Sequence, residues 1–168
     1  MLAAGLVSGC TGSTAGDLAA DAQLRHRLVE CLHVIDVVPE PGPGYAPHGS
    51  GGGFMALPTG TLQLGRSGSE GSGREDYRFA KFGLLVRRAQ QASLEIVSAP
   101  DDAFFNYGSG AFGPADTLTA GPCDSDRGDW VVWAGGIWVN EPGCVEVVVS
   151  SEDEEIPVQL AVGAPCDG

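Results

Sequence analysis

The chain has 168 residues, 43% of them apolar, enough for one buried core, and 22 acidic against nine basic residues give it a net charge of −13. That excess disfavours nucleic-acid binding, which depends on Lys and Arg neutralising phosphates, and it disfavours anionic lipid surfaces. No stretch approaches the roughly 18 apolar residues of a transmembrane helix.

The chain opens with an apolar run, Leu2 to Val7, then the small residues Ser8 and Gly9, then Cys10 and a polar stretch from Thr11 to Gly16. This order resembles a bacterial lipobox. The resemblance implies that residues 1–9 are part of a lipoprotein signal peptide and that cleavage makes Cys10 the N-terminus. Cys10 would then carry a diacylglycerol and a third acyl chain such as palmitate. Two or three chains make a stable anchor, whereas a single one binds membranes only marginally. A signal peptide also needs a basic n-region. No Lys or Arg precedes Arg25, so the translation start is expected upstream of Met1. Residues 10–16 are read as lipidated cysteine and tether, and 17–168 as one domain.

From Asp17 to Leu32, the residues Leu24, Leu28 and Leu32, with Ile35 beyond, repeat at helical spacing, and Asp17 is a suitable cap. A short N-terminal helix is therefore predicted, leading into a strand over 32–38. Pro39, Pro41 and Pro43 end regular structure there. Residues 42–74 hold eleven glycines. The stretch 39–74 is read as a Gly/Pro-rich insertion of long surface loops, interrupted by the apolar runs 54–57 and 61–64.

Beyond Glu75 the apolar period becomes two, the signature of strands with one buried face. Tyr77 to Arg88 reads as one long strand or two joined at Gly83. Leu94 and Ile96 alternate with polar neighbours, Pro100-Asp101-Asp102 is a turn signal, and further strands are expected at 104–107, 117–120 and 130–134. Gly135-Gly136 between Trp133-Ala134 and Ile137-Trp138 is the pattern of a two-residue hairpin turn. Val145, Val147 and Val149 share one face, as do Ile156, Val158, Leu160 and Val162, and Ser151 to Glu155 form an acidic hairpin tip between them. Some nine short strands at this spacing predict a mainly β fold, an antiparallel β-sandwich loosely immunoglobulin-like.

Cys31, Cys123, Cys144 and Cys166 remain when Cys10 is set aside, an even set suited to two disulfides in an oxidising compartment. Of the three pairings, Cys123 with Cys144 across a hairpin and Cys31 with Cys166 joining first strand to last are expected. The absence of Cys-x-x-Cys argues against zinc.

The elements Gly121-Pro122-Cys123, Gly135-Gly136-Ile137-Trp138-Val139, Pro142-Gly143-Cys144-Val145 and the final Gly163-Ala164-Pro165-Cys166 resemble the C-terminal half of small exported actinobacterial lipoproteins of uncharacterised function. The resemblance spans roughly residues 75–166. It implies a disulfide-braced β-sandwich on a lipid anchor at the outer face of the cytoplasmic membrane, and it implies no reaction.

Candidate chemistry is sparse. Cys31 and His33, with His48, could be gathered around copper, but a disulfide-bonded Cys31 outweighs that reading. Asp124 to Asp129 resembles part of a calcium loop, yet its glycine is misplaced and no bidentate glutamate follows. Glu152 to Glu155 reads as a hydrated turn. No metal, cofactor or catalytic residue is therefore assigned. Trp130, Trp133 and Trp138 are the one set that could meet a ligand by stacking on a sugar ring, against the commoner role of core tryptophans beside a disulfide. The expected function is a non-enzymatic, membrane-anchored extracytoplasmic binding or interaction module for a small ligand, glycan or protein partner. The alternative is a cell-envelope hydrolase using an unrecognised carboxylate pair.

Overall fold

A computed structural model describes residues 26–67, 75–107 and 114–166. Twelve strands occur among them: β1 (His26–Val29), β2 (Val34–Val38), β3 (Tyr45–His48), β4 (Met55–Pro58), β5 (Leu64–Ser67), β6 (Arg78–Arg87), β7 (Ala92–Ser98), β8 (Ala103–Tyr107), β9 (Thr117–Ala120), β10 (Trp130–Val139), β11 (Gly143–Ser150) and β12 (Glu155–Val162). They form a β-sandwich. One sheet has the order β1-β9-β7-β11-β12 and the other β2-β10-β6-β4-β3, with β5 also pairing β6 and β8 also pairing β10. All pairings between these strands are antiparallel except β1 with β9.

Alternation decides what lies between the sheets. On β11 and β12, Val145, Val147, Val149, Leu160 and Val162 turn inward, as their period of two requires. They meet Leu84, Val86, Val131, Trp133 and Ile137 of the opposite sheet. Trp133 is fully buried, and its indole Nε1 donates to the Glu30 carbonyl at 3.0 Å, so the one polar atom of the largest core side chain is satisfied. The hydroxyl of Tyr107 donates to Phe82 O at 3.1 Å; burial first, then the neighbouring Tyr45, push its titration well above the ordinary range.

Four sequence expectations need correction. The predicted helix falls partly on residues 17–25, outside the described residues. Its remainder is β1 followed by a one-turn 3-10 segment, Cys31–His33, because Val29 enters the core while Leu28 and Leu32, the supposed helical stripe, face solvent. Pairing with β9 overrides local helical spacing. The Gly/Pro-rich stretch is not a run of loops: β3, β4 and β5 belong to the sheet, and Met55 and Leu57 are fully buried. Leu62 further links it to β12 by accepting from Gly163 N and donating to Ala161 O.

Gly135-Gly136 is not a turn. β10 runs straight through it, paired with β6 along its whole length and on its other side with β2 and then β8. A Cβ at Gly135 would run into the Asn106 carbonyl and the Tyr107 ring, and one at Gly136 into the Ala80 carbonyl and the Phe79 ring. The glycines permit close approach of neighbouring strands rather than a reversal.

The disulfides are Cys31–Cys123 and Cys144–Cys166, not the expected pairs. Cys144 begins β11 opposite Ala161, whereas Ser150 at its other end leads to the hairpin tip beside Pro122. Cys123 thus lies about a strand length, roughly 20 Å, from Cys144, far beyond the ~7 Å over which two Cα atoms can be bridged. Topology places Cys31 with Cys123 at one end, Cα atoms 5.7 Å apart, and Cys144 with Cys166 at the other, 4.8 Å apart.

Candidate functional site

The end of the sandwich that holds Cys123 carries a cleft of about 380 Å³, within the roughly 300–1,000 Å³ usual for ligand sites. Three loop elements and a proline build it. The β11–β12 tip supplies Ser151, Glu152, Asp153 and Glu154, closed by a bond from Ser151 N to Glu154 O at 2.9 Å. A glycine-rich 3-10 turn, Ser50–Gly52, supplies Ser50, with Phe54 behind it. The β6–β7 turn supplies Ala89, Gln90 and Gln91, and Pro122 completes the wall.

Local chemistry explains each element. Gly49 and Gly53 both have positive φ, +110° and +84°. A side chain at Gly49 would collide with the Phe54 ring, and one at Gly53 with the His48 backbone, so the chain can coil tightly here only with glycine. The Arg87 guanidinium fastens the coil: Nε donates to Gly53 O at 2.9 Å and Nη2 to Gly52 O at 3.1 Å, while the group lies 5.1 Å from the centre of the Trp130 ring. Opposite, Ala89 adopts φ +57°, and its N–H donates to Cys123 O at 3.0 Å. That bond ties the β6–β7 turn to the disulfide-bearing loop.

The cleft is acidic. Glu152, Asp153 and Glu154 line it with no basic side chain among the lining residues. Arg87 is committed to carbonyls, and Arg88 donates to Ser125 O at 2.7 Å and pairs with Asp129 at 3.2 Å. The Glu154 carboxylate accepts Ser50 N–H, at 2.9 Å to Oε2 and 3.3 Å to Oε1. Hydrogen bonding from Ser50, side chain first and backbone second, holds its carboxyl below the ordinary value. The Gln90 and Gln91 amides add donors and acceptors, and the buried Phe54 adds an apolar wall.

The residues singled out in the sequence lie elsewhere. Trp130, Trp133 and Trp138 are 2%, 0% and 7% exposed, so none presents a free face for a sugar ring. Trp133 is in the inter-sheet core. Trp130 packs with Ala56 and Leu85 beneath Arg87, and Trp138 with Tyr77, Phe79 and Phe104. Cys31 is bonded to Cys123 and has no thiolate to offer copper; His33 lies 3.9 Å from Glu30, and His48 is half-buried on β3. The calcium-like loop at 124–129 has the Arg88 guanidinium as its cation. Cys10 lies outside the described residues.

Of the cleft, only the acidic tip was visible as a pattern. Ser50, Phe54, Gln90, Gln91 and Pro122 carry no motif, and the one available signal was the glycine run 49–53, which marks a tight coil as readily as a flexible one.

Fold and site together define a disulfide-braced β-sandwich of an oxidising, extracytoplasmic space, with an acidic cleft among its loops. No protein-family model matches the chain, and no curated protein is similar to it.

Proposed function

We propose that this chain is an extracytoplasmic binding module, anchored to the outer face of the cytoplasmic membrane through acylated Cys10, and that its loop-end cleft takes a cationic group, such as an amine of a small ligand or a basic peptide side chain. The resemblance to exported actinobacterial lipoproteins supports the anchor and the location. The observation that carries the binding reading is the cleft itself: three acidic residues and two glutamines line it, with no basic side chain among the described lining residues. A ligand amine would supply that charge while Phe54 packs against its apolar part.

The hydrolase alternative would need, beside an ionised carboxylate, a general acid whose carboxyl is raised toward neutrality; Glu154, lowered by its hydrogen bond to Ser50, is not that acid.

The test is titration of the full-length Cys10→Ala chain with spermidine, a lysine-rich peptide, calcium and a neutral hexose, followed by calorimetry. Saturable binding of the amines, lost in Glu152→Gln/Asp153→Asn, is expected. Binding of hexose alone, or amine binding indifferent to that double substitution, would refute the assignment.

A further inference from the structure

Phe54 lines the cleft and yet is only 6% exposed, so the apolar part of a ligand reaches little of its ring while the walls stand as they do. Part of the cover is the glycine coil. A Cβ on Gly49 would collide with the Phe54 ring and stand 3.2 Å from Glu154 Oε2, so ring, coil backbone and carboxylate are packed around one point. The coil is a short loop with a closed neck, since Phe54 N–H donates to His48 O at 2.8 Å. Within the neck Gly49, Gly51, Gly52 and Gly53 all hold positive φ, a region that glycine enters and leaves without steric cost. The two halves of the coil are held differently. Arg87, on the same sheet, fastens the far half through the Gly52 and Gly53 carbonyls. The near half is bonded across to the other sheet, Ser50 N–H donating to the Glu154 carboxylate. A Cβ at Gly51 would have nothing within 4 Å, so this half has room to move outward.

We propose that the Ser50 half of the coil is a gate over Phe54, held shut by Glu154, and that a ligand ammonium opens it by taking the carboxylate from Ser50; the inference rests on the reading of the cleft as a cation site. An ammonium brings a full positive charge to the carboxylate, which a neutral backbone N–H cannot. Ser50 is exposed, so water takes over the N–H that is released. Because carboxylate and ring flank the same glycine, the ring surface that is uncovered lies beside the bound ammonium. The apolar body of the ligand then covers it, which offsets the cost of exposing the ring. The ligand class follows from that adjacency. The cleft selects arylalkyl and alkyl amines, in which an apolar body directly follows the charge, over small bare ammonium ions.

The experiment titrates the full-length Cys10→Ala chain with phenethylamine, methylamine and 2-phenylethanol by calorimetry and follows amide hydrogen exchange by NMR. Phenethylamine should bind at least about tenfold more tightly than methylamine, because its ring is buried on binding, and more tightly than 2-phenylethanol, which cannot take the carboxylate. At saturation with phenethylamine the Ser50 amide should lose protection while the Phe54 amide, at the closed neck, keeps it. Glu154→Gln still accepts the Ser50 N–H but carries no charge, and it should weaken phenethylamine binding by about threefold or more. A Ser50 amide whose protection holds or rises with phenethylamine bound overturns the gate and leaves the cation site standing, and that measurement needs no variant. Equal affinity for methylamine and phenethylamine overturns it too, as does undiminished binding by Glu154→Gln. If none of the amines binds, the cation reading fails and the gate fails with it.

Discussion

The Glu154 carboxylate accepts the backbone N–H of Ser50 at 2.9 Å across 104 residues of chain, joining the β11–β12 hairpin tip to the glycine coil on the other sheet. Because Ser50 favours the ionised form, the folded carboxyl titrates below its ordinary 4.5. The unfolded chain then binds the proton more readily, so this latch contributes stability above about pH 4.5 that is lost as pH falls through the folded value. Glu154→Gln should lower the melting temperature at pH 7, and the difference from the parent should vanish toward pH 3. A thermal melt series across that range measures it; a constant difference would mean the carboxylate is not the active group.

His48 gives the fold a second acid-sensitive window. Desolvation on half-buried β3 lowers its titration below 6.5, so the unfolded chain takes up a proton first as pH drops below 6.5. Stability is full above that value and declines as pH falls toward the folded one. His48→Gln should flatten the pH dependence of stability between pH 7 and 5 and leave the Glu154 window untouched. Denaturant midpoints at half-unit steps would separate the two.

The disulfides should differ in weight. Cys31–Cys123 closes 92 residues and Cys144–Cys166 closes 22, so on the loop-entropy argument they contribute roughly 4.5 and 3.5 kcal/mol. Cys31→Ser/Cys123→Ser is expected to melt lower than Cys144→Ser/Cys166→Ser. The first pair also supports the cleft, since Cys123 O receives the Ala89 N–H. Ligand affinity should therefore fall with the first double substitution and hold with the second, by calorimetry below the melting point.

What the sequence made legible follows from the range of the forces involved. The β11–β12 hairpin, with Val145, Val147 and Val149 inward and an acidic tip, could be read directly, because a period of two and a turn are local properties. The opposite faces of Trp130 and Trp133 could be read for the same reason. The cysteine pairing could not, since it depends on which end of β11 meets the β9–β10 loop, a relation set by strand order. The cleft was illegible for the same cause: its walls come from positions 50, 54, 89–91, 122 and 151–154, which only the packing of two sheets brings together. Leu28 and Leu32 misled because helical spacing is weak information beside the strand pairing of Val29's neighbours.

Gly83 on β6 and Gly136 on β10 lie on paired strands of one sheet, and they should respond unequally to substitution. A Cβ at Gly136 would meet the Ala80 carbonyl and Phe79 ring at distances no side chain tolerates. At Gly83 the nearest atoms are Leu85 Cδ1 at 3.3 Å and Val132 Cγ1 at 3.4 Å, both ends of side chains that can yield. Gly136→Ala must push β6 and β10 apart and should cost about 3 kcal/mol or more. Gly83→Ala should lie within about 1 kcal/mol of the parent, because overlap is slight and alanine reduces the freedom of the unfolded chain. Urea midpoints of the two variants decide the point. Were Gly135-Gly136 a hairpin turn, Gly136→Asn would be tolerated, since asparagine accepts positive φ; in a continuous β10 it should unfold the domain, because the Ala80 carbonyl occupies the space its Cβ needs.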